Sequence, residues 1–366
     1  MKNRIRFFWT LAVPALFVVV FFLWGLLRPA DAVSVSERRA LTQLPDLTLS
    51  GLASGRDTAQ LDAYALDQFP LRDGFRRLAA QARLHLFLEK DTNDIYVADG
   101  YAAKLDSTLD TDSVDYAAGR FRFLYDRYLA GTDVKIYQAV VPDKGYYLAS
   151  AHGYPAMDYD ALFARLKEAM PYASDIDLTG TLSPDDYYRT DVHWRQEALP
   201  DTARYLAAQM GVTLTDFYTV RSSDLPFYGV YYGQSALPLE PDRLCWLEAP
   251  WMEGCTVYDY ETDTVLPLYN QDLAAGNDPY ALFLSGSKAL LRIDNPNAAT
   301  DRALVVFRDS FGSSIVPLLA EGYRTVTLVD IRYLSPALLG RYLTFTDQDA
   351  LFLYSTSVLN HSETLQ

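Results

Sequence analysis

The chain has 366 residues, half of them hydrophobic and 22% charged, a balance that builds packed cores and excludes a disordered polymer. Its net charge of −15 and isoelectric point near 4.7 repel phosphate backbones, so nucleic acid is not an expected partner. Two cysteines, Cys245 and Cys255, stand with no CxxC and no Cys/His cluster, so no structural zinc site is indicated. Outside the cytoplasm the pair could close one disulfide, and two unpaired thiols are the equal alternative.

Lys2, Arg4 and Arg6 precede Phe7 to Leu27, a run without a charged side chain. As a helix this run spans about 32 Å, enough for a hydrocarbon core of roughly 30 Å. The basic flank predicts a cytoplasmic N-terminus and an extracytoplasmic remainder. Ala30-Asp-Ala32 resembles a cleavage site, but the apolar run exceeds an ordinary signal h-region, which favours an uncleaved single-pass anchor over a cleaved signal and secretion. Residues 1–30 are thus read as anchor or signal, 31–57 as linker, and 58–366 as the catalytic domain.

Thr58 to Lys90 carries helical spacing that Pro70 divides into two helices. Ile95 to Tyr101 reads as a strand and turn, with Asp99-Gly100 at the turn. From Ser113 the pattern becomes α/β. Helices are predicted over 114–129, 158–170 and 195–210, and strands over 134–141 and 175–178. Residues 212–280 break the rhythm and read as an irregular insertion of loops and short strands. Strands at 303–307, 325–329 and 350–354 then alternate with helices at 312–321 and 336–343. Alternation of this kind implies a mostly parallel sheet covered on both faces.

Phe307-Arg-Asp-Ser-Phe-Gly312 follows a buried-strand pattern and places Ser310 at the turn into a helix. In open parallel sheets, sites form outside the carboxyl ends of strands. A serine there can be a nucleophile beside N–H groups that stabilise an oxyanion. On local grounds alone, Asp309 or Ser310 capping the helix is the commoner use. In Tyr187-Tyr-Arg-Thr-Asp-Val-His-Trp194, Asp191 lies two positions before His193, on one side of an extended segment. A carboxylate fixing an imidazole tautomer is the general-base half of a triad; a histidine satisfied beside a helix cap is the local alternative. The stretch offers too few ligands for a metal.

Thr190-Asp-Val-His-Trp194 and Arg308-Asp-Ser-Phe311 together resemble the paired motifs of the DHHW proteins. That bacterial group is similar to the alginate-acetylation proteins of the SGNH-hydrolase-like superfamily. Further matches run in the same order: Ser36-Glu-Arg-Arg39, Asp67-Gln-Phe-Pro-Leu-Arg72, Val141-Pro-Asp-Lys144, Phe227-Tyr-Gly229, Phe283-Leu-Ser-Gly286 and Asp330-Ile-Arg-Tyr333. Val192 stands where the family name has its first His, and Arg308 where ordinary superfamily members have Gly.

The resemblance implies a flavodoxin-like α/β/α sandwich and a triad of nucleophile Ser310, base His193 and orienting Asp191, with no cofactor. Gly286 is a candidate oxyanion donor beside the Ser310 N–H, and Lys144, Tyr188 and Arg332 are candidates for holding substrate. The implied activity is O-acetyl transfer or acetyl-ester hydrolysis on a cell-surface polysaccharide, with a polytopic membrane acyltransferase as implied partner. A non-catalytic polysaccharide-binding or scaffold protein on the same fold is the alternative.

Overall fold

The computed structural model describes residues 2–215 and 217–366. Met1, in the basic flank, and Asp216, in the 212–280 segment, lie outside the described residues, as do the side chains of residues 2–5 and of Leu26. The chain forms two compact units, residues 1–92 with 232–238, and residues 93–231 with 239–366.

The first unit begins with helix α1, Lys2–Leu27, whose span Arg6–Gly25 is long and apolar enough to cross a membrane. Helices α2, Arg56–Asp67, and α3, Arg72–His85, follow. They break where Pro70 removes a backbone donor and Leu71 takes a left-handed φ of 58°. The acidic side chains of Glu37 and Asp67 gather Arg39 and Arg72, and Arg76 joins Glu37. The Arg39 guanidinium holds the Asp67 carboxyl below the usual carboxylate range, with Thr42 adding two donors.

The second unit opens on a hairpin, Ile95–Ala98 with Tyr101–Lys104. Its turn residues Asp99 and Gly100 both have positive φ, as a two-residue turn matched to strand twist requires. Helix α4, Thr111–Leu124, is capped by Asp110 and ends in a π turn over Tyr125–Leu129. Strand β1, Lys135–Val141, helix α5, Tyr159–Ala169, strand β2, Ser174–Asp175, and helix α6, Pro200–Gln209, follow. After a ribbon of Thr219–Phe227 with Asp242–Glu248 come β3, Thr256–Asp259, β4, Thr264–Leu266, β5, Leu290–Asp294, and β6, Ala303–Arg308. Helix α7, Gly312–Leu319, β7, Thr325–Val329, and β8, Asp349–Ser355, complete the unit.

The sheet order is β4-β3-β5-β7-β6-β8-β1-β2. From β7 to β2 the pairings are parallel; β4, β3 and β5 add antiparallel strands at one edge. Side chains alternate across it. Val305, Phe307 and Phe352 pack with Phe121 of α4 and Leu162 of α5 on one face. Leu304, Val306 and Leu351 pack with Leu206 of α6 and Ile315 of α7 on the other. Burial on both faces explains why β6 and β8 read as continuous apolar runs. The result is a flavodoxin-like α/β/α sandwich with a mostly parallel sheet.

Three local expectations change. Part of the irregular 212–280 segment joins the main sheet, because β3 pairs with β5 and carries β4 at its outer edge. The helix expected over 195–210 is a 3-10 turn, Gln196–Ala198, followed by α6 with Pro200 in its first turn, where a missing N–H costs nothing. The 336–343 segment forms a 3-10 helix, Pro336–Arg341.

Candidate active site

β6 ends at Arg308 and α7 starts at Gly312, so residues 309–311 form the turn at the carboxyl end of a central strand. Asp309 is wholly buried. Its Oδ1 accepts the Phe311 N–H at 2.9 Å and its Oδ2 the Ser355 N–H at 2.7 Å, tying this turn to the end of β8. With Asp309 holding the turn, the Ser310 side chain is left for another partner. Among the described residues, the Ser310 N–H has no hydrogen-bond acceptor.

That partner is His193. Its Nε2 lies 2.8 Å from Ser310 Oγ, and its Nδ1 lies 2.6 Å from Asp191 Oδ1. The short Nδ1 contact to a carboxylate places the proton on Nδ1 and leaves Nε2 as acceptor for the serine hydroxyl. Asp191 is 1% exposed. Its Oδ1 also accepts the His193 N–H at 3.1 Å, and its Oδ2 accepts the Val230 N–H at 2.8 Å. The carboxylate is therefore satisfied without water.

The Asp191–His193 segment is bent and not extended. Tyr187 and Trp194 form an isolated antiparallel bridge, and the Tyr188 N–H donates to His193 O at 3.1 Å, which folds the intervening residues into a tight loop. The bend follows from the Asp191 side chain accepting an N–H two residues on. Asp242 fixes the near side of the loop, accepting the N–H groups of Arg189 and Thr190 at 2.7 Å each. Nothing in the sequence marked Asp242, which lies in the irregular segment.

Two aromatic residues set the imidazole against the serine turn. Tyr280 stacks on the His193 ring with centroids 3.9 Å apart and planes 8° apart, and donates to Ser314 Oγ at 2.8 Å. Trp194 donates from Nε1 to Ser314 Oγ at 2.8 Å and to Phe311 O at 3.1 Å. Gln196 adds a bond to Ser314 O at 2.7 Å. Ser314, on the first turn of α7, is thus where three side chains of the histidine side meet the helix behind Ser310. Trp194 lay inside the recognised motif; Tyr280 sits at the end of the irregular segment and carried no signal.

Arg308 is 1% exposed and lies under α7. Its Nη1 donates to Ser313 Oγ at 3.1 Å and lies 3.7 Å from Asp330 Oδ2. Burial lowers its guanidinium pKa, with Asp330 opposing. A Cβ on Gly312 would lie 2.8 Å from Arg308 Cβ, so any side chain at 308 in this backbone leaves room only for glycine four residues on.

The remaining candidates each have partners within the fold. The Gly286 N–H donates to Phe283 O at 3.1 Å, closing a turn whose central residues Leu284 and Ser285 both have positive φ, so that amide is spent on the turn. Tyr188 is fully buried, with its ring edge-on to Phe227 and Tyr280. Arg332 makes a bidentate pair with Asp330 at 2.6 and 2.9 Å, which occupies its fork. Lys144 is 2% exposed and turns inward, with Nζ 2.8 Å from Tyr188 O and 5.0 Å from the centre of the Tyr231 ring. Cys245 and Cys255 are free thiols. They sit in separate surroundings, Cys245 within the 242–248 strand beside Glu197 and Cys255 with its thiol toward Trp251 O. Burial pushes both thiols up to about 11.

The DHHW protein family model matches residues 182–329, the stretch that holds Asp191, His193 and Ser310. No curated protein matches the chain. Among solved structures, a DHHW family protein from Eubacterium siraeum is 20% identical with a TM-score of 0.58, covering 75% of this chain and 95% of its own. PatB1 of Bacillus cereus, solved with a sulfonyl adduct, is also 20% identical, with a TM-score of 0.55 over 72% of this chain and 95% of its own. The O-acetyltransferase domain of Pseudomonas putida AlgJ is 13% identical at a TM-score of 0.42, covering 73% of this chain and 92% of its own; a likeness that distant carries no argument. The first two share the fold described above. The family model match spans Asp191, His193 and Ser310, so across the candidate site this chain is similar to the DHHW proteins.

Proposed function

We propose that this chain is an extracytoplasmic, membrane-anchored serine O-acetyltransferase or acetylesterase acting on a cell-surface polysaccharide. The observation that carries the proposal is the unbroken hydrogen-bond chain from Ser310 Oγ through His193 to Asp191, at 2.8 and 2.6 Å. A structural histidine does not need a free hydroxyl at the end of a central strand. Compartment and anchoring rest on α1 and its basic flank. The polysaccharide acceptor and a membrane acyltransferase as donor rest on the motif resemblance.

The chemistry follows from the proton positions. Ser310 Oγ attacks the acyl carbonyl as its proton passes to His193 Nε2, and the Ser310 N–H stabilises the oxyanion. The carbonyl–oxygen bond to the donor breaks, and His193 returns the proton to the leaving oxygen. The acetyl group is then an ester on Ser310. A sugar hydroxyl or water attacks it, giving its proton to His193, and Ser310 is released with its proton restored. Asp191 stabilises the imidazolium in both halves.

The test is acetyl release from an activated ester, with mass spectrometry for acetate on the Ser310 peptide and an oligosaccharide present or absent. Ser310→Ala and His193→Ala should each lower turnover by roughly 10⁴-fold or more, and the double variant little further, since triad members act as a unit. Asp191→Asn should also cause a large loss, by favouring the wrong tautomer. Acetylated oligosaccharide identifies a transferase, and free acetate alone an esterase. A wild-type chain that shows no acetyl-Ser310 with any acyl donor leaves the non-catalytic scaffold.

A further inference from the structure

We infer that α3 lies in the outer-leaflet interface of the membrane, with its apolar face in lipid, so that the first unit is held to the bilayer along a surface as well as by α1. This rests on the anchored reading of α1. The observation is an inversion of the usual arrangement. On a water-facing helix the apolar stripe turns toward the protein. On α3 the polar side turns inward: Arg72 and Arg76 pair with Glu37 at 2.6 and 3.0 Å, Arg76 donates to Gly233 O at 3.0 Å, and Ala80, one turn further on, is buried. The opposite stripe at helical spacing is exposed at Leu71, Phe75, Leu78 and Leu86, with Ala82 half-buried among them. Leu78 and Leu86 are 65% and 72% exposed, and Phe87 and Leu88 extend the apolar surface past the helix end.

The same stripe is continuous with the lipid-spanning surface. Phe75 packs edge-on against Phe17 and Phe21 of α1, and Phe69 stacks on Phe21 at 5.3 Å. An apolar cleft lined by Phe17, Val18, Phe22, Tyr64 and Pro70 runs along the same side of α1. Phe21 and Phe17 lie four and eight residues inside Gly25, the outer end of the span. At 1.5 Å per residue these contacts sit about 6 and 12 Å below that end. Interfacial helices rest about 5–10 Å into the boundary of headgroups and acyl chains. Arg83, half exposed beside the stripe, stands where anionic headgroups would meet it.

The experiment uses the full chain in phosphatidylcholine–phosphatidylglycerol vesicles. An environment-sensitive fluorophore is placed singly at position 78, 86, 81 or 18 of a Cys245→Ala/Cys255→Ala background, and nitroxide lipids labelled near the headgroup are the quencher. Positions 78 and 86 should show blue-shifted emission quenched by the lipid, as at 18, while 81, a polar and exposed position beside the stripe, should not. Quenching at 18 with aqueous emission at 78 and 86 overturns the inference and leaves the anchor standing. No quenching at 18 removes the anchor and the inference together. Blue-shifted but unquenched emission at 78 and 86 overturns lipid contact in favour of a second copy covering the face. Leu78→Trp in the cysteine-intact chain, read by brominated lipid against wild type, repeats the test if the cysteine-free background does not fold.

Discussion

Lys144 is a buried cation beside the Asp191 loop. Burial pushes its ammonium down to about 7, against the upward pull of the Asp191, Asp242 and Asp143 carboxylates. Below pH 7 folded and unfolded chains both hold the proton, and above about 10.5 neither does. Between these the unfolded chain binds more protons, so Lys144's contribution to stability rises with pH across that window. Lys144→Met has no such dependence. The difference in urea midpoint between wild type and Lys144→Met should therefore shift in favour of wild type on going from pH 7 to about 9.5. A constant difference would mean that Lys144 keeps its proton throughout. The side chain also donates to Tyr188 O just before the Asp191 loop, so it ties that loop to the buried end of its own helix. The sequence placed Lys144 in a recognisable motif but could not say which way it points, because a side chain's direction depends on the packing of distant elements. The same reason hid from the sequence that Tyr188 is buried and that Arg332 pairs with Asp330.

At the scale of elements, the loop after Phe227 braces the loop that carries Asp191 and His193. The Gly229 N–H donates to Thr190 Oγ1 and the Val230 N–H to Asp191 Oδ2, both at 2.8 Å. A Cβ on Gly229 would lie 2.3 Å from Thr190 O and 2.4 Å from Asp191 Cα. Both are backbone atoms that cannot rotate aside. Gly229→Ala should displace Asp191 by a fraction of an ångström to an ångström and lower acetyl-ester turnover on the order of 10²-fold. A circular dichroism spectrum like wild type would accompany it if the fold survives. Unchanged turnover would show that the two loops are not coupled. The strands and helices of the sandwich were largely legible, since β6 and β8 are apolar runs and α4 and α5 carry clear spacing with aspartate caps. The edge strands β3 and β4 were not, because Thr256–Leu266 is short and mixed in polarity and becomes a sheet edge only when β5 is there to pair with it.

Across the whole molecule, one apolar helix precedes a net acidic chain. A phosphatase reporter fused after Gln366 should be active only if residues beyond α1 are exported; activity of a cytoplasm-dependent reporter at that position would reject the compartment and the interfacial placement of α3 together. The sequence by itself determined the alternation of strand and helix, the apolar span, and the two short motifs holding Asp191, His193 and Ser310. Each of these is a local pattern of side chains along the chain, set by periodicity or by a turn. Only the tertiary structure decided that Ser310 meets a histidine 117 positions away, that Tyr280 and Trp194 brace the pair, that Gly286 is spent on its own turn, and that α3 turns its apolar stripe outward. These depend on which surfaces meet when the sheet closes, and a contact between distant residues leaves no periodic mark in the chain.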